Sequence, residues 1–167
     1  MVRAKALVGV AIGVFALVAT TGCSKKTEDD AAAPAANTET AAAAPAAVAP
    51  AATNTDTLDG TKYASFTGTA AAGEKVFVAC KTCHAIEPGK NMIGPSMHAI
   101  QGRTSGTIAG YSYSAANKAS GIVWNNEKLF QYLENPQRVI PGTKMTYTGV
   151  KDPQQRADLI AYLDTLK

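Results

Sequence analysis

The chain has 167 residues and a formal net charge of +3, and only 7% of its residues are aromatic. No aromatic residue lies between Phe15 and Tyr63, so the first third cannot build a packed core, and the globular part is one small domain at residues 60–167. That domain has twelve Lys and Arg against seven Asp and Glu, which favours acidic partners, but these residues form no cluster or motif for nucleic-acid binding.

Residues 1–22 have the pattern of an export signal. Two basic residues precede an apolar run at residues 6–19, which is a little short for a membrane-spanning helix. Small residues then lead to Cys23, and this arrangement resembles a bacterial lipobox, in which the cysteine receives the lipid. Thr20 stands where that pattern usually has leucine, so an uncleaved signal-anchor and a released soluble protein are alternatives to the lipoprotein.

Residues 23–59 have the composition of a flexible tether. Residues 31–52 contain fourteen alanines and three prolines, and the prolines interrupt any alanine helix. A coil of residues 24–59 would have an r.m.s. span of roughly 30–36 Å. Such a tether would let the following domain swing between membrane partners, or it would serve as a passive spacer.

A short amphipathic helix is predicted from Gly73, and it runs into the sequence Cys80-Lys81-Thr82-Cys83-His84. C-x-x-C-H is the pattern for covalent haem attachment, in which each thiol forms a thioether and the adjacent imidazole binds the iron. A zinc half-site would require further ligands, and the only other histidine is His98. A redox-active disulfide pair would require a βαβ setting. The export signal supports haem, because haem c is attached outside the cytoplasm.

The second iron ligand determines the class of haem protein. The candidates after His84 are Met92, Met97, His98 and Met145. The first two follow the motif so closely that we expect them in a loop and in the core, and we expect His98 at the surface. Met145 lies in the loop IPGTKMTY between two predicted helices, far enough along the chain to reach the other face of the haem. A thioether ligand would raise the reduction potential and close the sixth position, which suits electron transfer.

Three further helices are predicted after the motif. The first is a short helix at residues 114–120, and the second begins at Asn125 or Asn126 and ends at Asn135-Pro136. The last begins at Asp152, with Pro153 at its first position. Because no strand pattern is convincing, the predicted fold class is all-α.

Residues 73–167 resemble the class I cytochrome c family of mitochondria and alphaproteobacteria. The resemblance implies a small cytochrome c fold, with helices wrapped around one covalently bound haem c. The disordered linker before it is predicted from composition, because soluble members of the family lack anything like residues 1–59. It implies an electron carrier and not an enzyme, and a close crossing of the first and last helices at Gly73 and Tyr162. The shared segments are GEKVF and C-x-x-C-H, GPSMHAIQGR at 94–103, YSYSAANKASGIVW at 111–124, YLENPQRVIPGTKM at 132–145 and DLIAYL at 158–163.

The resemblance also implies the site residue by residue. Cys80 and Cys83 would form the thioethers, and His84 and Met145 would be the axial ligands of the iron. The carbonyl of Pro95 would orient the ring of His84. The other implied pocket residues would contact the propionates, an internal water, the distal ligand or the haem edge. They are Arg103, Tyr113, Asn117, Trp124, Tyr132, Thr143 and Tyr147.

Within this pocket, Tyr132 would donate to the sulfur of Met145, and Arg103 would offset propionate charge. Two positions depart from the family pattern. Asn91 stands where many relatives have a histidine that bridges two loops, so the sequence does not predict that hydrogen bond. Tyr147 stands where phenylalanine is common, and its hydroxyl would change the polarity at the haem edge.

The resemblance implies a bc-type quinol–cytochrome c oxidoreductase as electron donor and a haem–copper oxidase as acceptor, or photosynthetic or denitrifying equivalents. The expected location is the periplasmic side of a bacterial membrane, with attachment through the lipid or a signal-anchor. The alternatives are a haem c peroxidase or ligand-binding sensor, and a fixed cytochrome subunit of a respiratory complex. Several lysines would surround the exposed haem edge and steer docking: Lys75, Lys81, Lys90, Lys118, Lys144 and Lys151.

Overall fold

The computed structural model describes residues 48–167. The predicted export signal, the lipid-attachment residue Cys23 and the first part of the predicted tether lie outside these residues. Between residues 48 and 167 no helix has the length and apolar character needed to cross a membrane. The described chain contains a 3-10 turn at Tyr63–Ser65 and the helices α1 Ala70–Phe77, α2 Ala115–Ala119, α3 Asn126–Glu134, α4 Pro136–Val139 and α5 Pro153–Leu163.

The all-α prediction is confirmed. In the described part of the chain, β-type pairing is limited to one isolated bridge between Thr104 and Val123. The predicted helix starts also agree with the structure, because the side chain of Asn125 caps α3 and that of Asp152 caps α5. Asn135 ends α3 as predicted, but it also caps α4, which the sequence analysis did not anticipate.

Helix α1 differs from its prediction, since it begins at Ala70 and ends at Phe77, before the first cysteine of the motif. A tertiary contact accounts for the earlier start. The carboxylate of Asp158 in α5 accepts a hydrogen bond from the backbone N–H of Thr69 at 2.8 Å. This N–H group lies at the start of α1 and has no partner within the helix. After Phe77 the chain turns tightly, with the N–H of Cys80 donating to the carbonyl of Phe77.

Helices α1 and α5 cross at Gly73, as the resemblance implied. A Cβ atom at Gly73 would overlap the carbonyl oxygen of Asp158 and would lie 2.8 Å from the Cβ of Tyr162. The rings of Phe77 and Tyr162 pack beside this contact, with centroids 5.2 Å apart. The crossing therefore requires glycine because the two backbones are in direct contact, and it holds the helix that leads into the cysteine motif.

Residues 51–61, called the strap below, are packed against α3 and α5, whereas the sequence analysis placed residues 51–59 in the flexible tether. The carboxylate of Glu134 accepts the backbone N–H groups of Leu58 at 2.7 Å and Asp59 at 3.0 Å. Composition could not reveal this packing. The strap contacts the helices through backbone groups and small polar side chains, whereas a sequence pattern that predicts packing depends on apolar residues. The ordered chain thus begins before residue 60.

An ion pair between Asp59 and Arg156, at 2.6 Å, joins the strap to α5. Burial alone would raise the pKa of Asp59, but hydrogen bonds from Arg156 and Thr61 hold this pKa well below its usual value of 3.8. Because the folded state has the lower pKa, the contribution of Asp59 to stability is complete well above pH 3.8 and is lost as the pH falls below that value.

We therefore expect Asp59→Asn to lower the free energy of unfolding at pH 7 by about 1–2 kcal/mol, since Asp59 is partly exposed and the pair is partly screened. The variant should also lose less stability than the wild type between pH 7 and pH 3. Denaturant unfolding at both pH values measures this. Asp56→Asn, which removes an exposed pair with Lys62, is the control, and equal pH dependence in all three proteins would contradict the expectation.

Candidate functional site

A largely apolar cavity collects the four residues predicted to attach and ligate a haem. Cys80, Cys83 and His84 enter it from the turns after α1, and Met145 enters it from the loop between α4 and α5. The eight predicted pocket residues line the same cavity: Pro95, Arg103, Tyr113, Asn117, Trp124, Tyr132, Thr143 and Tyr147. The structure therefore brings together residues that are separated by more than sixty positions in the chain.

The ring of His84 is held in one orientation. Its Nδ1 lies 2.7 Å from the carbonyl oxygen of Pro95, which can only accept, so Nδ1 carries the proton and Nε2 keeps its lone pair. Gly94 packs against the ring so closely that a Cβ atom there would lie 2.6 Å from Nδ1. Burial lowers the pKa of His84, and the bond to Pro95 opposes this only in part. A neutral imidazole with a free Nε2 is the form that binds a metal ion.

Met145 is held by groups on both sides of its loop. The hydroxyl of Tyr132 donates to its sulfur at 3.4 Å, and the hydroxyl of Thr143 accepts its backbone N–H at 3.3 Å. Burial raises the pKa of Tyr132 to about 12, so this hydroxyl remains a donor throughout the neutral range. Tyr132 thus makes the contact that the resemblance implied, and the thioether is presented to the cavity in a defined position.

Gln137 is a further support of this loop that the sequence analysis missed. Its side-chain amide donates to the carbonyl oxygens of Thr143 at 3.2 Å and Met145 at 2.9 Å. The only sequence signal is its place inside the shared segment YLENPQRVIPGTKM, where a polar residue on a short helix resembles an ordinary surface residue. The two hydrogen bonds join α4 to the loop that carries Met145.

We expect Gln137→Ala to loosen that loop without unfolding the protein. In the haem-loaded protein with Met145 as the distal ligand, external imidazole would have to displace Met145. Loss of two partly exposed hydrogen bonds, worth about 1 kcal/mol together, should therefore increase the apparent affinity of the ferric protein for imidazole about fivefold. Spectrophotometric titration measures this affinity. Gln155→Ala, in an exposed position of α5, is the matched control, and equal affinities in the two variants would show that Gln137 does not restrain the loop.

Cys80 has the properties of a structural thiol and not of a reactive nucleophile. Burial raises the pKa of Cys80 to about 11, and the neighbouring Cys83 adds to this effect. The attacking thiol of a catalytic disulfide pair instead has a lowered pKa. Cys80 is therefore poorly suited to attack in thiol–disulfide exchange, which was one alternative for the C-x-x-C-H motif.

The side chain of Arg103 lines the cavity and also binds the protein backbone. Its guanidinium donates to the carbonyl oxygens of His98 and Ser96, each at 3.1 Å, while the residue lines the cavity. These bonds fix the segment that follows Pro95.

Trp124 and Tyr132 pack against each other across the cavity wall, with ring centroids 4.9 Å apart.

Asn91 makes the loop-bridging hydrogen bond that the sequence did not predict at this position. Its side-chain amide donates to the carbonyl oxygen of Ala109 at 3.0 Å, and its Oδ1 accepts the N–H of Ser96 at 3.1 Å. An asparagine amide has both a donor and an acceptor, so it can join two loops as a histidine would. The departure from the family pattern therefore does not remove the connection.

The other candidate ligands agree only in part with the expectation. Met97 is partly buried against the core but also lines the cavity, Met92 is 45% exposed, and His98 is partly buried. Neither Met92 nor His98 lines the cavity. Of the six lysines, Lys144 lines the cavity and donates to the carbonyl oxygen of Ser112. Lys151 likewise donates to a backbone carbonyl oxygen, that of Glu134 at the end of α3, and both lysines are exposed residues.

This donor set fits a covalently attached haem. Two thiols, an imidazole with a free Nε2 and a thioether line one cavity. Soft sulfur and imidazole are the iron ligands of electron-transfer haems, and the mainly apolar lining keeps water away from the site.

Comparison with known proteins agrees with the fold and the site. The cytochrome c family model matches residues 70–167. The chain is 56% identical to a cytochrome c2 of Rhodopila globiformis over 88 residues, covering 53% of this chain and 83% of the relative. It is 54% identical to a cytochrome c2 of Blastochloris viridis, covering 56% of this chain and 75% of the relative.

Among solved structures, cytochrome cH from Methylobacterium extorquens superimposes with a TM-score of 0.56 at 45% identity, covering 59% of this chain and 99% of the other. The region matched by the family model, residues 70–167, contains the whole cavity described above. It begins after the strap. The chain therefore belongs to the cytochrome c family, and it is an electron-transfer protein with one covalently bound haem c.

Proposed function

We propose that this cytochrome carries single electrons between membrane complexes through a His/Met-ligated haem c. Cys80 and Cys83 would attach the haem, and His84 and Met145 would ligate its iron. The bound haem supplies an iron that cycles between the ferric and ferrous states. The observation that carries this assignment is made at one apolar cavity. There a hydrogen bond at Nδ1 holds the ring of His84 and leaves Nε2 free, and a hydrogen bond from Tyr132 holds the sulfur of Met145.

The protein groups around Met145 favour electron transfer over ligand binding. Tyr132, Thr143 and Gln137 each hold the residue or its loop, so Met145 would remain a ligand of the iron. Restrained ligands would change little between the two oxidation states, and a neutral thioether would favour the ferrous state. A peroxidase or gas sensor would instead need a sixth position that opens readily.

The absorption spectrum of the ferric holoprotein tests this proposal. A Met-ligated ferric haem has a weak charge-transfer band in the far red, and we expect this band at neutral pH together with little binding of external ligands. A ferric protein without the band, which binds imidazole or cyanide readily, would contradict the carrier function and favour a sensor or a peroxidase.

The proposed electron donor is a bc-type quinol–cytochrome c oxidoreductase, and the proposed acceptor is a haem–copper oxidase or an equivalent photosynthetic or denitrifying complex. Ile93 lines the cavity and is nevertheless 75% exposed, so an apolar surface lies beside the site. Lys144 lines the same site. A small contact of this kind, apolar with basic residues around it, suits brief and salt-sensitive docking on acidic partners.

Electron-transfer kinetics at increasing ionic strength test this docking. We expect the bimolecular rate with a bc-type complex to fall as salt screens the basic residues. A salt-independent rate would contradict electrostatic docking. Purification of a stoichiometric complex in moderate salt would instead indicate a fixed subunit of a respiratory complex.

We also propose that the protein works on the periplasmic side of a bacterial membrane and is attached through a lipid on Cys23. The support is the export-signal pattern of residues 1–22 and the cysteine that follows it. Mass spectrometry of the mature N-terminus should find a diacylglyceryl cysteine, and Cys23→Ser should release the protein from membranes. An intact Met1 would contradict the lipoprotein and indicate a signal-anchor.

A further inference from the structure

We propose that the strap, residues 51–61, fixes the point at which the N-terminal segment leaves the haem domain, on the side of α3 that faces away from the haem cavity. The strap would thereby set the place on the haem domain at which an attachment through Cys23 acts. This inference rests on the proposed function only for that attachment.

Helix α3 separates the strap from the cavity because its two faces have different neighbours. Leu129, Tyr132 and Leu133 line the cavity. Gln131 and Glu134, three residues apart on the opposite face of the helix, are bound by the strap. The strap also binds Lys128 in the first turn of α3. No residue between 48 and 61 lines the cavity.

The strap satisfies polar side chains of α3 that are buried beneath it. The ammonium group of Lys128 donates to the carbonyl oxygens of Ala51 at 3.2 Å and Asn54 at 2.8 Å, and also to Gln131. The amide of Gln131 donates to Asn54 Oδ1 at 2.8 Å and to the carbonyl oxygen of Asp56 at 2.9 Å. Lys128 is 1% exposed and Gln131 is fully buried. Buried polar groups of this kind are stable only with partners, so the strap completes the structure of α3.

Glu134 and Arg156 hold the second half of the strap. The Glu134 carboxylate, in a residue only 3% exposed, accepts the N–H groups of Leu58 and Asp59. Arg156 donates to Asp59 at 2.6 Å and lies over the ring of Phe130, 4.4 Å from its centroid. The strap is thus attached along its length to α3 and α5, and several separate contacts must break before it can leave.

The direction of the strap determines where the remaining N-terminal chain begins. Ala51 lies at Lys128 in the first turn of α3, and Ala52 packs against the core near Gly121. The segment between Cys23 and the strap is then residues 24–50 and not 24–59.

Hydrogen exchange on the full-length holoprotein tests whether the strap is docked in solution. In the wild type we expect the amides of Leu58 and Asp59 to exchange at least about tenfold more slowly than in unstructured chain. Glu134→Ala should abolish this protection, while the amide of Gly73 in α1 stays protected. Asn54→Ala, a change in the strap itself, should weaken the protection with less risk to folding. Thr53→Ala, whose side chain is exposed, is the control.

Wild-type amides at Leu58 and Asp59 that exchange at the unstructured rate would overturn the docked strap. A second pair of results would also overturn it. These are equal protection of the Leu58 and Asp59 amides in Asn54→Ala and Thr53→Ala, together with a Glu134→Ala protein that loses as much protection at Gly73 as at the strap. The contacts would then have no local effect. The measurement does not depend on electron transfer. Absence of the far-red band from the ferric spectrum would overturn the carrier function, but it would not change the hydrogen-exchange result.

A fluorophore near the N-terminal end of the strap tests the fixed exit point. Val48→Cys, at a residue 96% exposed, can be labelled in a Cys23→Ser holoprotein, because the two haem-binding cysteines are already consumed. Quenching by the haem should give one narrow fluorescence lifetime in this protein and a broad distribution after Glu134→Ala. A broad distribution in both proteins would overturn the fixed exit point.

Discussion

Replacement of Met145 by alanine should produce the largest change in redox properties. We expect the reduction potential to fall by on the order of 0.2 V, a fraction of the ~0.8 V that axial ligands span. The sulfur that the Tyr132 hydroxyl contacts at 3.4 Å is then absent, so the neutral soft ligand that favours the ferrous state is lost. Redox titration measures the potential, and the ferric spectrum should lose its far-red band.

Met92→Ala is the matched control for this variant. Met92 is 45% exposed and does not line the cavity, so its replacement should leave both the potential and the far-red band unchanged. If Met145→Ala kept the wild-type potential and band, or if Met92→Ala lost them, Met145 would not be the distal ligand. Binding of external imidazole should likewise become easy only in Met145→Ala.

Replacement of Gly73 by valine should produce the largest loss of stability. A side chain there would overlap the Asp158 carbonyl oxygen and press on the Cβ of Tyr162, so α1 must move away from α5. We expect the free energy of unfolding to fall by about 3 kcal/mol or more, at the upper end of the cost of overpacking. Guanidinium chloride unfolding of the holoprotein, followed by circular dichroism, measures this.

Ala71→Val, two residues earlier in α1 and exposed, controls for the lower helix propensity of valine. It should cost less than about 1 kcal/mol. Equal losses in the two variants would mean that the helix crossing tolerates a side chain at Gly73. The comparison isolates the contact between the two helices, because both changes introduce the same residue into the same helix.

Much of the site could be predicted because its chemistry is local in the sequence. The haem-attachment motif needs two thiols and an imidazole within five residues, and Cys80, Cys83 and His84 provide them in one turn of chain. Met145 was selected by its loop setting and by the resemblance, and the structure places it at the same cavity. The helix starts at Asn125 and Asp152 depend on a side chain and a backbone N–H only three residues apart.

Supports that act across loops were missed or misjudged. Gln137 holds the Met145 loop, and Asn91 replaces a bridging histidine. Both act on backbone carbonyl oxygens, which every residue possesses and no sequence pattern marks. An exposed polar residue and a bridging one therefore look the same until the chain is folded.

By itself the sequence determined the all-α class, the attachment motif and the family, because cysteine spacing, helix caps and long shared segments are properties of adjacent residues. Only the tertiary structure decided that residues before position 60 pack against the haem domain. Residues 51–59 have a tether's composition, yet Glu134 and Arg156 bind them from more than seventy residues away. Polar side chains that face another segment of chain cannot be distinguished in sequence from those that face water, so the strap emerged only from the folded arrangement.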